Sequence, residues 1–307
     1  MKQSILLLVS VKDNIIVCGG RNTRGEALTS VEILGESNLK LPPLPSPIMH
    51  PTMVVRNNDE LLVLSGYGNH QNSGNTFLKF SNGSWIRQLP YKSKICWPIS
   101  LQMSSGTFMT GLLNDYDQIN FRFQSSGHDK YKEYEQWLKE PEIILSGSTF
   151  YGVPISNTVV LLTGGTNTES PTQIIKYDIE SHEYLEFGSL LIGRLNHQSI
   201  LYQGKVIVTG GERRRIGENH YSGMLRSTEI IDLSNGVSRR VGDLNEARTL
   251  HGMGILKING NSKLVVFGGE TIDDNGDVIA LDSVEEWDDE SESWKISSLK
   301  LSTARSI

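Results

Sequence analysis

The chain has 307 residues, 37% of them hydrophobic, and a formal net charge of -6, which is enough for a large core. The mildly acidic balance gives no basic footprint for nucleic acid, and no apolar run approaches the ~18 residues of a membrane helix. Cys18 and Cys96 lie in apolar runs of different repeats and read as small buried side chains, not as a disulfide.

Met1 to Val11 carries Lys2 and a short apolar run but no small-residue cleavage pattern. It runs straight into a turn and Ile15-Ile16-Val17-Cys18, so it reads as the first strand of a hairpin and not as a removed signal. A cytoplasmic chain is expected. Secretion is the alternative, and would make the exposed sequon Asn82-Gly83-Ser84 relevant.

Six units of about 50 residues follow one another without a linker. Each second strand ends in a pair of small residues: Gly19-Gly20, Ser65-Gly66, Thr110-Gly111, Gly164-Gly165, Gly210-Gly211 and Gly268-Gly269. Unit one places strands at 4–11, 15–18, 29–34 and 39–41, and unit two at 50–55, 60–64, 76–80 and 84–89. Unit three has 95–102, 107–109, 117–123 and 134–138, and unit four 149–154, 159–162, 172–177 and 184–187. Unit five has 197–202, 206–208, 227–233 and 238–241, and unit six 251–258, 264–267, 282–287 and 293–296. Helical periodicity is nearly absent, with one candidate turn of helix at Asp129 to Trp137.

The clearest copy is Gly193 to Gly211, two apolar runs joined by the turn Gln203-Gly204. The end of the chain, Ala304-Arg305-Ser306-Ile307, joined to Lys2-Gln3-Ser4-Ile5, falls in register with Arg194 to Ile200. The cut therefore falls between units. No unit is expected to be shared by the termini, and the first and last should meet by side-chain packing alone.

The glycine pair after a β-branched run, an aromatic ending strand three, a second aromatic soon after, and an Arg opening the next unit together resemble the kelch repeat over the whole chain. Trp287 with Trp294 carries this best, then Tyr177 with Tyr184 and Phe80 with Trp85, and the opening Arg is clear at Arg194, Arg248 and Arg305. The resemblance implies an all-β fold: one six-bladed β-propeller of four-stranded antiparallel blades, at about 4–44, 48–90, 95–139, 147–189, 194–244 and 248–299. Radial stacking covers both faces of each blade, and the glycines Gly19, Gly20, Gly66, Gly111, Gly164, Gly165, Gly210, Gly211, Gly268 and Gly269 sit where the backbone turns near the centre. Unit three, with Thr110-Gly111 and a stretched third connection, is where irregular geometry is expected.

No catalytic signature or metal-ligand spacing stands out among the histidines, and no cofactor is expected. His197 and His251 hold one slot of successive repeats, as Arg194 and Arg248 do, and so read as structural. Function is sought in the loops between strands two and three, which should gather on one face. In kelch domains that bind peptides, the residue after the glycine pair often faces the ligand; here those are Arg21, Tyr67, Leu112, Thr166, Glu212 and Glu270. His70 lies in the loop of unit two, and Arg213, Arg214, Arg215 and Tyr221 in a basic loop of unit five. Every charged residue from Glu270 to Glu292 is acidic.

The resemblance implies a non-catalytic protein-interaction module with a protein or peptide partner and no membrane or nucleic-acid partner. Arg21, Tyr67 and the arginines of unit five suit an acidic or aromatic-containing segment, which Glu212 and Glu270 would repel. Some propellers of this kind are copper sugar oxidases, sugar-acid epimerases or iron-assisted specifier proteins. The alternative is therefore an enzyme acting on a small polar ligand such as a sugar acid, with Glu212, Glu270 and Arg21 meeting at the axis.

Overall fold

The computed structural model describes residues 4–5, 8–11, 14–35, 40–56, 60–64, 77–87, 95–103, 106–113, 119–125, 138–139, 151–165, 172–214 and 221–307. Among them are six four-stranded sheets, all paired antiparallel, and two smaller hairpins. Sheet one is Ser4–Ile5, Leu8–Val11, Asn14–Cys18 and Val31–Leu34; sheet two is Thr52–Arg56, Glu60–Leu64, Phe77–Ser81 and Ser84–Arg87. Sheet three is Ile95–Met103, Gly106–Leu113, Ile119–Ser125 and Leu138–Lys139; sheet four is Tyr151–Pro154, Val159–Thr163, Gln173–Asp178 and Glu183–Ser189. Sheet five is Gln198–Tyr202, Lys205–Thr209, Thr228–Ile231 and Ser238–Arg240; sheet six is Gly252–Ile258, Asn261–Phe267, Ser283–Asp288 and Ser293–Lys300.

The strands form where β-branched runs are bounded by turn residues. In sheet five, Tyr202 pairs with Lys205 across Gln203-Gly204, both with positive φ (48° and 77°), the backbone that a two-residue hairpin needs. The opening strands neighbour one another in sequence. Leu8–Val11 lies beside Thr52–Arg56, then come Ile95–Met103, Tyr151–Pro154, Gln198–Tyr202 and Gly252–Ile258. Gly252–Ile258 lies in turn beside Leu8–Val11 and Asn14–Cys18. This is a propeller arrangement, with apolar side chains filling the space between adjacent sheets. Phe267 and Leu301 pack with Ile15 and Val17, and Trp287 and Trp294 with Ile207 and Ile230.

The aromatic pairs are cross-strand neighbours. Trp287 and Trp294 meet edge to face at 5.1 Å, and Trp294 Nε1 donates to Thr228 Oγ1 of sheet five (2.9 Å). Phe80 and Trp85 repeat the contact at 5.1 Å, with Trp85 Nε1 donating to Pro42 O (2.9 Å). Tyr177 is buried opposite Tyr184, which is exposed.

Three expectations are corrected. The strand expected at 39–41 is not seen in its described part: residues 40 and 41 are not in a ladder, and Pro42-Pro43 follows, which cannot donate to one. Its fourth strand comes instead from the other edge, where Ser4–Ile5 folds back on Leu8–Val11. Thr110-Gly111 does not end a strand but lies inside Gly106–Leu113, at a register shift between Thr110 and Leu112. The candidate helical turn before residue 138 and the pair Ser65-Gly66 lie outside the described residues.

The third correction concerns the junction of sheets one and six. No sheet mixes strands from the two termini, but the junction is not made by side chains alone. Arg21 N donates to Ser306 O (3.0 Å) and Ser306 N to Arg21 O (2.9 Å). The same reciprocal pair links Leu195 with Glu212 and Thr249 with Glu270. Ser306 follows Arg305 as Leu195 follows Arg194, so the same backbone bridge forms.

Each of these three arginines is fully buried. Arg194 donates to Gly210 O (2.8 Å), Ser227 O (2.9 Å), Ser227 Oγ (3.0 Å) and Glu229 Oε1 (2.6 Å). Arg248 donates likewise to Gly268 O (3.0 Å), Ser283 O (3.3 Å), Ser283 Oγ (3.2 Å) and Glu285 Oε1 (2.7 Å). Arg305 donates to Gly19 O (2.8 Å), Ser30 O (3.4 Å), Ser30 Oγ (2.9 Å) and Glu32. The partner motif is Ser-x-Glu in the third strand. Its carboxylate also accepts from the loop before the Arg, as Glu229 does from Leu191 N (2.6 Å) and Ile192 N (3.1 Å).

Burial costs such a pair its hydration, so the net gain from having it is small, but removing one partner strands the other charge. Arg194→Met should therefore lower stability by about 3–5 kcal/mol, measured by urea unfolding. A loss below about 1 kcal/mol, the scale of an exposed ion pair, would contradict the cassette.

Candidate functional site

The glycine pair determines where the next residue points. Gly210 and Gly211 have φ of +63° and +90°. A Cβ on Gly210 would lie 2.6 Å from Arg248 O, and one on Gly211 2.6 Å from Leu195 O, so only glycine fits without displacing backbone. The turn delivers Glu212 into its bridge with Leu195, and the equivalent turns deliver Glu270 to Thr249 and Arg21 to Ser306. All three positions are thereby anchored on both sides by backbone, at one end of the propeller.

Of the three residues expected to meet at the axis, Arg21 and Glu270 are in contact, and the Glu270 charge acts on Glu212. Arg21 Nε donates to Glu270 Oε1 (3.1 Å), and its Nη2 makes a second, shorter bond to the same oxygen. Glu212 accepts from Asn196 Nδ2 (2.6 Å). Burial, opposed by that bond and helped by the neighbouring Glu270 charge, pushes the Glu212 carboxyl up to about 7. His50 sits in the same group: its Nδ1 is 3.1 Å from Ile307 O, and burial above all holds it down at about 4, with Arg21 lowering it and Glu270 raising it. It is neutral at neutral pH, so Nδ1–H is the donor to the carbonyl.

Backbone bonds tie these positions around the axis. Leu250 N donates to Asn196 O (3.0 Å) and Ile307 N to Leu250 O (2.8 Å), which leads to Ile307 O and His50. Asn196, Leu250 and His50 all take positive φ (51°, 49° and 46°). Asn196 and His50 were not singled out as site residues from the sequence. The signal for Asn196 was its place two residues after the recurring Arg; His50 carries no comparable signal, since Ile48 stands where the Arg would be.

His197 and His251 are structural, as expected. Both are fully buried, and burial holds each well below the ordinary range. His197 Nε2 lies 2.9 Å from Thr163 Oγ1, and each ring sits against the preceding glycine pair, His197 at Gly164 and His251 at Gly210.

The loops of units five and six fold into hairpins that the sequence reading left as loops. Glu212–Arg214 pairs with Tyr221–Met224, and Glu270–Ile272 with Val278–Ala280. Arg213 is exposed; the side chains of Arg214 and Tyr221, and the whole of Arg215, Tyr67 and His70, lie outside the described residues. In the second hairpin the tip is an Asp273 turn, with Asp273 Oδ1 accepting from Asn275 N (2.9 Å) and Asp277 N (2.9 Å). These bonds hold the Asp273 carboxyl below its usual range. No ion pair among the described residues reaches Asp273, Asp274 or Asp277. Ala280 N donates to Thr23 Oγ1 (3.2 Å), docking the hairpin on the loop of sheet one.

No protein-family model matches the chain. Beta-scruin of Limulus polyphemus, a kelch-repeat protein, is 30% identical over 148 residues, which is 45% of this chain and 15% of beta-scruin. Among solved structures, YjhT superposes with a TM-score of 0.69 at 13% identity, covering 97% of this chain and 98% of that one. A fungal alcohol oxidase of the AA5 family in complex with copper superposes at 0.62 and 15% identity, covering 99% of this chain and 66% of the oxidase.

The fold is a β-propeller.

The recurring Arg, glycine pair and aromatics resemble the kelch repeat, and the superpositions speak for the fold alone. Copper belongs to the oxidase. Among the described residues of this propeller no three His, Cys, Asp or Glu side chains are grouped to hold a metal ion, and no step is derived through one.

Glu212 yields a pH prediction. Its carboxyl binds a proton more tightly folded (about 7) than at its ordinary value of 4.5. Stability contributed at this site is thus full below 4.5 and lost as pH rises through about 7. Glu212→Gln should remove that slope and be more stable than wild type at alkaline pH, by thermal unfolding across pH. Parallel pH profiles for the two proteins would contradict the shift.

Proposed function

We propose that this propeller is a closed ring of six blades working as a non-catalytic protein-interaction module, with a partner segment binding where the loops between second and third strands gather. The observation that carries this is the pair of hairpins of units five and six. They are ordered β-structure built on the bridged residues Glu212 and Glu270, project from adjacent blades, and bear exposed Arg213 on one and exposed Ile272, Asp274, Asp277 and Val278 on the other. A pre-ordered surface costs little entropy on binding, and opposite charges on adjacent projections favour a partner of matching pattern. The succession of opening strands from sheet to sheet and back to sheet one supports six blades. The kelch-repeat relative supports an interaction role.

Arg21 changes the expected ligand. Its guanidinium is already paired with Glu270, so it offers an acidic segment no free cation. The arginines of unit five are the candidate site for an acidic segment. In a pull-down of cross-linked partners, Arg213→Glu, Arg214→Glu and Arg215→Glu together should reduce recovery at least about tenfold. Unchanged recovery would overturn the reading.

A second reading has one observation in its favour. A carboxyl near 7 beside a second carboxylate and an Arg is a group suited to general acid–base work. On this reading Glu212 would exchange a proton with a small polar ligand, such as a sugar acid, while Arg21 and Glu270 position it. The Arg21–Glu270 pair counts against it, since an anionic ligand would have to displace Glu270.

A further inference from the structure

The second hairpin has two faces. Side chains alternate along a strand, and directly opposed residues share a face. The register Glu270 with Ala280 and Ile272 with Val278 therefore puts these four on one side, and Thr271 with Ile279 on the other. Glu270 turns toward Arg21 and influences Glu212. Ile272 and Val278, 47% and 49% exposed, thus stand above the same mouth, on the side that Glu270 marks.

Among the described residues an ion pair reaches Glu270 but none reaches Glu212. Glu270 has Arg21, whereas the described hydrogen bond to the Glu212 side chain comes from the neutral amide of Asn196. Burial first, and then the neighbouring Glu270 charge, presses Glu212 to hold a proton. Above it, the exposed Asp274 and Asp277 at the tip add negative charge without an ion pair among the described residues. An exposed apolar cross-strand pair on the Glu270 side of the mouth and a nearly buried acidic carboxyl at its base make a two-part surface, apolar on one wall and acidic below.

Resting on the interaction reading, we propose that this mouth docks a partner segment that carries a Lys or Arg next to an aliphatic residue. The cation would pair with Glu212, and the aliphatic side chain would cover Ile272 and Val278. The charge complementarity runs opposite to that of the unit-five arginines, so the two hairpins would read different parts of a partner.

Short synthetic peptides alternating Lys with Leu, Glu with Leu, and Lys with Ser provide the probes, with binding followed by fluorescence anisotropy. The Lys/Leu peptide should bind about tenfold more tightly than either of the others. Glu212→Gln, and separately Ile272→Ser with Val278→Ser, should each weaken it about tenfold. Both changes lie at a loop mouth or on exposed positions, and circular dichroism should confirm that the fold is kept. Binding of the Lys/Ser or Glu/Leu peptide as tight as that of Lys/Leu, no binding of Lys/Leu, or affinities unmoved by the variants would each overturn the inference. A Glu/Leu peptide that binds and is released by the triple Arg213, Arg214 and Arg215 change would overturn it while leaving the interaction reading standing. Failure of both this and the pull-down would remove both.

Discussion

The buried arginine is the constraint on which the rest of this structure depends. Arg194, Arg248 and Arg305 are each taken out of water entirely, and each is met by a glycine carbonyl, both oxygens of a serine and a glutamate. Burial pushes Arg194 and Arg248 below their ordinary range and the paired glutamates push back. A charge so placed tolerates no loose geometry, because every lost bond leaves a polar group in a low-dielectric interior. The Arg therefore holds the second and third strands of its sheet and the approach to the first strand in one arrangement. Packing of Val, Ile and Leu between sheets supplies area but no comparable directionality.

From that arrangement the mouth follows. The Arg carbonyl accepts from the second glycine of the preceding repeat, as Arg248 O does from Gly211 N (2.8 Å), so side chain and backbone of one residue tie adjacent sheets together. The positive-φ glycines then turn the chain into the bridge that holds Glu212, Glu270 or Arg21. Arg21 and Glu270 meet because the same local bonding is repeated around the axis. Their chemistry, an ion pair beside a carboxyl near neutrality, arises from ordinary residues in repeated places. What differs from blade to blade lies beyond the bridge, in the hairpins.

Much of this was legible in the sequence, and the limits are physical. The glycine pairs, the aromatics and the recurring Arg carry a repeat because each solves a local problem that recurs. Arg194 and His197 could be demoted to structure for that reason. The Ser-x-Glu partner was equally repetitive, at Ser30-Val31-Glu32, Ser227-Thr228-Glu229 and Ser283-Val284-Glu285, and was missed because loops of unequal length precede it. The equivalent placement of Arg21, Glu212 and Glu270, each just after its glycine pair, was readable from the repeat. The pairing of Arg21 with Glu270 was not, since the slots do not say which side chains meet. Sheet one misled because its opening run folds back on itself, and an apolar run carries no mark of where it will turn. The hairpins were read as loops because their strands are three or four residues long, too short for periodicity to register.

The central claim is that the Arg305–Ser306 segment closes onto sheet one by the same bridge that Leu195 makes with Glu212, and Thr249 with Glu270, within their own units. Residue-resolved amide hydrogen exchange tests it most directly, since Arg21 and Ser306 donate to each other's carbonyls as Glu212 and Leu195 do. The account predicts that the Arg21 and Ser306 amides exchange as slowly as those of Glu212, Leu195, Glu270 and Thr249, through global opening. Fast exchange at Arg21 and Ser306 beside slow exchange at the other four would contradict it.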